Sequence, residues 1–265
     1  MKNDNIPIIK DFPAKTSITV LPLFDMHIGS QEFNEKRFLD WRDNVLQCEN
    51  TYVVLGGDLL DNGLKNSVTN IYEQTMRPRD QKNYLCELLK PLSENGQILC
   101  GTSGNHENRS VKESDDNPLF DVFCKLNIED LFRENICYLL LRIGGSDNSL
   151  QGHYRPTYAM VVTHGAGGGM YVGSGANRSE RFGSIIDGLD ILITGHTHKP
   201  INFPVSKIVI DAQNKQITQK KFTCVTATSW LDYGGYPIRK MMTPTSFAPQ
   251  EIRLSGIGKD VRVLQ

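Results

Sequence analysis

The chain has 265 residues and a mass of 29.8 kDa, enough to bury a core without disulfide or metal staples. Its 29 Lys+Arg against 30 Asp+Glu leave a formal net charge of -1, which argues against attachment to nucleic acid or membrane by bulk charge. The sequence has no apolar run of the ~18 residues a transmembrane helix needs, and MKNDNIPIIKDF lacks the apolar stretch of a signal peptide.

In chain order, Thr16–Phe24 (TSITVLPLF) reads as a β-branched strand running into Asp25-Met26-His27-Ile28-Gly29. Asn34–Cys48 places Phe38, Trp41, Val45 and Cys48 at helical spacing. Thr51–Leu55 (TYVVL) is a buried strand ending in Gly56-Gly57-Asp58-Leu59-Leu60-Asp61. Asp80–Asn95 is expected to be helical, capped by Asp80, stopped by Gly96, and kinked or shortened at Pro91. Gln97–Cys100 is a short strand followed by Gly104-Asn105-His106-Glu107. Pro118–Glu134 reads as helix with Pro in its first turn, Ile136–Ile143 as strand and Gly144–Gln151 as polar loop. The strand Tyr158–Thr163 leads into His164-Gly165, and Gly165–Ala176, with six glycines, reads as irregular. The strand Asp190–Thr194 (DILIT) ends in Gly195-His196-Thr197-His198. Residues 201–265 alternate in period two between turn signals and read as β hairpins or a meander. Strands alternate with helices first and then dominate, which implies one α/β domain over 1–265 with mixed sheets.

The six cysteines form no CxxC or CxH pair and read as reduced core thiols of a cytoplasmic protein. The histidines carry more information. Five of the six lie in short Gly/Asp/Asn-rich motifs, and only His153 stands apart, as an ordinary surface residue. Each of five motifs is a buried strand followed at once by polar residues: Asp25/His27, Asp58, Asn105/His106, His164 and His196/His198. Ligand sites in open α/β sheets lie beyond the carboxyl ends of strands, so these side chains are expected to converge. Imidazole, carboxylate and amide oxygen without thiolate suit Mn²⁺, Fe or Zn²⁺. The donors exceed what one tetrahedral ion takes, which points to two ions sharing a carboxylate, with Asp58 the candidate bridge. Any one of these motifs also occurs as turn or cap chemistry; all five in this order do not arise by coincidence.

The blocks D-x-H, G-D-x-x-D, G-N-H-E, His-Gly and G-H-x-H resemble the calcineurin-like metallophosphoesterase superfamily. The resemblance implies a four-layer αββα sandwich with mixed sheets and a binuclear centre at its strand ends. It implies that Asp25, His27 and His198 hold one metal, that Asn105, His164 and His196 hold the second, and that Asp58 bridges them. It implies that His106 is a non-ligand histidine that contacts the phosphate or protonates the leaving group, and that Glu107 orients its neighbours. Two divalent ions, Mn²⁺ in first place and Fe, Zn²⁺, Ni²⁺ or Mg²⁺ as alternatives, would polarise the phosphoryl group and acidify a water.

Protein Ser/Thr phosphatases of the superfamily carry G-D-x-x-D-R-G, whereas Asp61-Asn62-Gly63 lacks that Arg. The pattern resembles instead the phosphodiesterase and nuclease branch, so the expected substrate is a phosphoester of a nucleotide or nucleic acid. A phosphomonoesterase of a small metabolite is the alternative within enzymes. A non-catalytic scaffold is the alternative outside them, and it would be marked by lost ligands. Arg77, Arg79, Arg109, Lys112, Arg178 and Arg181 lie between the motifs as candidate phosphate contacts or solvated surface. The glycine-rich loop after His164 is either a lid or a turn-dense connection, and it does not match a dinucleotide fingerprint. The oligomeric state is open.

Overall fold

The computed structural model describes residues 4–13, 15–65, 67, 71–145, 155–169 and 171–265. His153 and most of the expected 144–151 loop lie outside the described residues. The strands are β1 (Ile8–Phe12), β2 (Ser17–Leu23), β3 (Thr51–Leu55), β4 (Ile98–Thr102), β5 (Phe132–Arg133), β6 (Ile136–Ile143), β7 (Thr157–Thr163), β8 (Ile191–Thr194), β9 (Ile201–Asp211), β10 (Gln216–Thr226), β11 (Glu251–Ser255) and β12 (Val261–Leu264). The helices are α1 (Glu35–Leu46), α2 (Pro78–Glu94), α3 (Glu107–Ser114), α4 (Pro118–Lys125), α5 (Val172–Ser184) and α6 (Gly235–Arg239). None is long and apolar enough to cross a membrane.

Among the described residues two mixed six-stranded sheets result, in the orders β1-β6-β7-β8-β10-β9 and β12-β11-β2-β3-β4-β5. β2, β3 and β4 run parallel in one sheet, and β7, β8 and β10 run parallel in the other. The main core lies between the sheets and draws Val20, Leu23, Val53 and Leu55 from one and Leu139, Met160, Ile191 and Ile193 from the other. A smaller core on the outer side of the second sheet holds Val161, Leu192, Phe222 and Cys224. Alternate residues of β7 and β8 thus enter different cores, the period-two consequence of a sheet covered on both faces. This is the expected sandwich of α/β type, with helices outside two mixed sheets.

The 201–265 segment completes both sheets. β10 pairs in parallel with β8 and carries β9 as a hairpin, while β11 pairs antiparallel with β2 and carries β12. Its alternation reads correctly as hairpins, but the five-residue α6 interrupts it.

Other expectations need correction. The helix expected from Asp80 starts at Pro78, with Arg77 in the cap position and Pro at the first turn, and it runs through Pro91 to Glu94. Pro91 forgoes one backbone bond inside the helix, and the burial of Leu88, Leu89 and Leu92 around it holds the last turn in place. The stretch Pro118–Glu134 is helical only to Lys125, after which a short 3₁₀ turn (Glu129–Leu131) and β5 follow. Gly165–Ala176 is not irregular throughout, since α5 begins at Val172. Gly175, Ser179 and Gly183 form one buried face of α5, and their small size lets the helix lie close on the sheet. Packing there overrides the low helix propensity of glycine. Cys100, Cys137 and Cys224 are buried free thiols, but Cys48 and Cys124 are exposed and Cys86 half-buried, so only part of the set is core.

α4 sits on β4 at Gly101, where an added Cβ would lie 2.2 Å from Phe123 Cζ. Gly101→Ala is expected to destabilise the fold by about 1–3 kcal/mol through overpacking, read from urea unfolding. In a Phe123→Leu background the same change should cost clearly less, because the colliding ring tip is gone.

Candidate metal centre

The polar motifs follow β2, β3, β4, β7 and β8, so both sheets deliver their carboxyl ends to one place. Backbone bonds lock the loops together. Asp25 N–H donates to Gly57 O (3.1 Å), His27 N–H to Asp58 O (2.9 Å) and Asp61 N–H to Ile28 O (2.8 Å). The loop after β4 closes on Asp58 at Gly104, where any Cβ would lie 2.1 Å from Asp58 Oδ1. Glu107, fully buried, gathers four backbone donors. Its Oε2 accepts from Asp58 N (2.9 Å) and Gly104 N (2.8 Å), and its Oε1 from Leu59 N (2.9 Å) and Leu60 N (3.1 Å). Burial and the nearby Asp58 push its carboxyl up, against the pull of these N–H groups.

Asp25, His27, Asp58, His196 and His198 have φ between 50° and 66°, the left-handed region that non-glycine residues rarely adopt. Such backbone persists only where its surroundings over-determine it, and it concentrates at functional sites.

The side chains converge as the motifs implied. Donor atoms of Asp25, His27 and His198 lie within 4.8 Å of one another, as do those of Asp58, His164 and His196, and those of His27, Asp58 and His106. Asn105 Oδ1 is 3.1 Å from His164 Nε2. Asp25, His27, Asp58 and His164 are buried, His196 and His198 half-buried and Asn105 exposed, so the centre has a dry floor and an open mouth.

Each carboxylate spends one oxygen on the backbone and turns the other inward. Asp25 Oδ2 accepts from His196 N (2.9 Å), while Asp25 Oδ1 is buried with no hydrogen-bond partner, 3.4 Å from His198 Nε2. Asp58 Oδ1 accepts from His106 N (2.8 Å), while Oδ2 faces His164 Nε2 at 3.2 Å. His164 Nδ1 donates to Gly56 O (2.9 Å), which leaves Nε2 to face Asp58, Asn105 and, at 3.1 Å, His196 Nδ1. A nitrogen lone pair set among acceptors, and a buried carboxylate oxygen without a donor, are what a divalent cation satisfies. The N/O donor set suits a divalent metal.

Burial opposes charge on His164, but the Asp58 carboxylate outweighs it and pushes His164 up to about 10. Burial likewise opposes charge on Asp58, yet His164 and His106 hold it well below the usual carboxylate range. The same negative potential attracts metal cations, which bind in competition with protons.

His106 is placed differently. Its Nδ1 donates to Asp61 O (2.7 Å) with Asp61 Oδ1 at 3.3 Å, and its Nε2 accepts from Arg109 Nη2 (2.9 Å). Burial opposes its charge, but Asp58 and Asp61 raise its pKa. Both nitrogens thus have protein partners, although a ring nitrogen also lies within 4.8 Å of donor atoms of His27 and Asp58.

Several contributors were missed by sequence reasoning. Asp61, quoted only as part of G-D-x-x-D, also lies 3.6 Å from His27 Nδ1 and takes a bond from Gln74. Buried Gln81 accepts from Asn62 N (2.9 Å) and donates to Gln74 Oε1 (2.9 Å), steadying that arm. Nothing in the spacing of Gln74 and Gln81 signals this. Asn62 binds His106 O and Ser110, so it replaces the phosphatase Arg with a structural amide. Of the candidate basic residues, Arg109 reaches the centre, while Arg77, Arg79, Lys112 and Arg181 are exposed.

The carboxylate–imidazole centre lies at strand ends between two mixed sheets, and the family that the chain matches makes its class that of metal-dependent phosphoesterases, hydrolases of phosphate esters. The model of the family described as calcineurin-like phosphoesterase matches residues 25–200, and the chain belongs to that family. Among solved structures, the chain is similar to the calcineurin-like phosphoesterase YfkN from Bacillus subtilis, at 12% identity and a TM-score of 0.40 over 94% of this chain and 90% of that one. No curated protein matches the sequence.

Glu107→Gln tests the buried hub. Either amide orientation sets an NH₂ against two backbone donors, so a loss of about 2–3 kcal/mol is expected in thermal or urea unfolding.

Proposed function

We propose that the protein is a binuclear phosphodiesterase acting on a nucleotide or nucleic-acid-type ester. The observation that carries this reading is that donor atoms of Asp58 lie within 4.8 Å of those of His27 on one side and of His164 and His196 on the other. Asp25, His27 and His198 form one set, and His164 and His196, with Asn105 beside them, form the other. Asp58 would be shared between the two ions, and His106, whose donor atom lies near those of His27 and Asp58, would act outside both sets. Ions held there supply Lewis acidity to the phosphoryl oxygens and lower the pKa of water. Mn²⁺ is the metal proposed first, since neutral nitrogen and oxygen donors without thiolate suit it, with Fe, Zn²⁺, Ni²⁺ or Mg²⁺ as alternatives.

The scarcity of guanidinium groups favours a diester. A phosphomonoester dianion calls for more compensating positive charge than a diester monoanion. Asn62 stands where protein phosphatases have Arg, and Arg109 is tied to Asp61 O (3.0 Å) and His106 Nε2. Displacement of Arg109 by an incoming phosphate would free His106 Nε2 to take up a proton from solvent. Asp61, fixed by Gln74, keeps Nδ1–H in place, so the proton is delivered from Nε2 to the departing alkoxide. The six unpaired thiols support a cytoplasmic setting. The completion of both sheets by 201–265 supports a single domain.

Chelation with EDTA should abolish hydrolysis of bis-p-nitrophenyl phosphate, and Mn²⁺ should restore it. Metal analysis should find two ions per chain in the wild type and a deficit in Asp58→Asn, whose fold survives because β3 is untouched. Full activity in a demonstrably metal-free sample would sink the reading.

His106→Ala should keep both ions and lower kcat by about 10²–10⁴-fold. The defect should be larger for poor leaving groups than for p-nitrophenolate. His164→Ala and His196→Ala should lose metal together with activity, whatever the leaving group. A metal deficit in His106→Ala would show it to be a ligand instead.

A further inference from the structure

A cavity of about 320 Å³ lies under α5, against the carboxyl ends of β7, β8 and β10. It is separate from the donor clusters but shares a wall with them. Gly195 lines it, and on the other side of Gly195 an added Cβ would lie 2.6 Å from Asp25 Oδ2. One residue without a side chain therefore stands between the cavity and a carboxylate of the metal centre. Gly165, Gly195 and Thr197, chain neighbours of His164, His196 and His198, also line it, so the cavity adjoins the loops that carry three of the donor histidines.

Its walls indicate what it takes. The floor is a chain of hydroxyls, with Ser179 Oγ 3.2 Å from Thr194 Oγ1, itself 3.3 Å from Thr226 Oγ1. Phe182, one turn after Arg178 on α5, lines the cavity with its ring partly exposed. The Arg178 guanidinium packs against Gly167, where a Cβ would lie 2.3 Å from Arg178 Cζ, so the glycine-rich loop drapes over it. Among the described residues Arg178 makes no hydrogen bond or ion pair, and it lines the cavity. Hydroxyls for a sugar, a ring face for a planar base and guanidinium donors for the acceptor edge of that base match one nucleoside. The volume is at the small end of ligand pockets, the size of one nucleoside.

We propose that this cavity binds the nucleoside arm of the phosphodiester, with Phe182 stacking on the base and Arg178 bonding its edge. This rests on the phosphodiesterase reading above and narrows its substrate class to esters carrying a nucleoside next to the scissile bond.

Two esters with the same leaving group test it: thymidine 5′-(p-nitrophenyl phosphate) and methyl p-nitrophenyl phosphate. The wild-type protein should prefer the nucleotidyl ester in kcat/KM. Phe182→Ala and Arg178→Gln should each cut that preference about tenfold, mainly through KM, with metal content at the wild-type level. Phe182→Trp should retain it, as should the control Ile185→Ala on the exposed end of the same helix. Thymidine alone, followed by ligand-observed NMR with the chelated protein, gives a readout independent of hydrolysis, and the two cavity variants should weaken its binding. Arg178 is exposed, so its replacement reports even if Phe182→Ala fails to fold. Equal use of both esters with no thymidine binding overturns the proposal. Thymidine binding in a protein that cleaves neither ester supports the cavity and overturns the phosphodiesterase reading instead.

Discussion

The site rests on one buried carboxylate. Glu107 accepts the N–H groups of Asp58, Leu59 and Leu60 after β3 and of Gly104 after β4, and so ties two strand ends into one rigid unit. Four donors converging on one anion in a dry interior leave little freedom for rearrangement, because any displacement strands a backbone N–H without a partner. Asp58 is held in its left-handed backbone by this arrangement, and its side chain is thereby aimed at His164 and His106. The loop after β2 locks onto the same unit through Asp25 and His27. The second sheet then closes the centre with His164, His196 and His198.

The electrostatics follow from this packing. Buried carboxylates are costly unless compensated, and the compensation here is a ring of imidazoles whose titration depends on their nearest carboxylate. His164 is raised by Asp58 against its own burial, whereas His196, which faces His164, is lowered by burial and by that neighbour's charge. Neighbouring imidazoles a few ångströms apart thus take opposite directions. The split follows from coupling, since the proton that Asp58 holds on His164 repels a second one on His196.

The parts of the fold that were legible and those that were not differ in a physical way. β3, β6 and the hairpins announced themselves through continuous or alternating apolar residues, which depend only on local chain geometry. α5 was hidden because Gly173, Gly175 and Gly183 argue against a helix, while the packing of a small-residue face on the second sheet makes one. α3 was hidden inside a motif read for its chemistry, and β1 escaped notice as a short edge strand whose partner, β6, is far along the chain. Asp61 shows the same limit within the site. Its sequence block was recognised, but its contacts to His27, His106 and Gln74 come from three separate segments.

What the sequence determined by itself was therefore the chemistry and its order: seven candidate ligands and one candidate acid, each just after a buried strand, and the strands that carry them. That information is local, since a polar residue can be spared from a core only where a strand ends. Tertiary structure alone decided which lone pairs face inward, that His106 is committed to Asp61 and Arg109, and that a cavity under α5 abuts Asp25. Those outcomes depend on distances between residues tens to hundreds of positions apart. The packing of two sheets and the convergence of backbone donors on Glu107 set those distances, and no spacing along the chain encodes them.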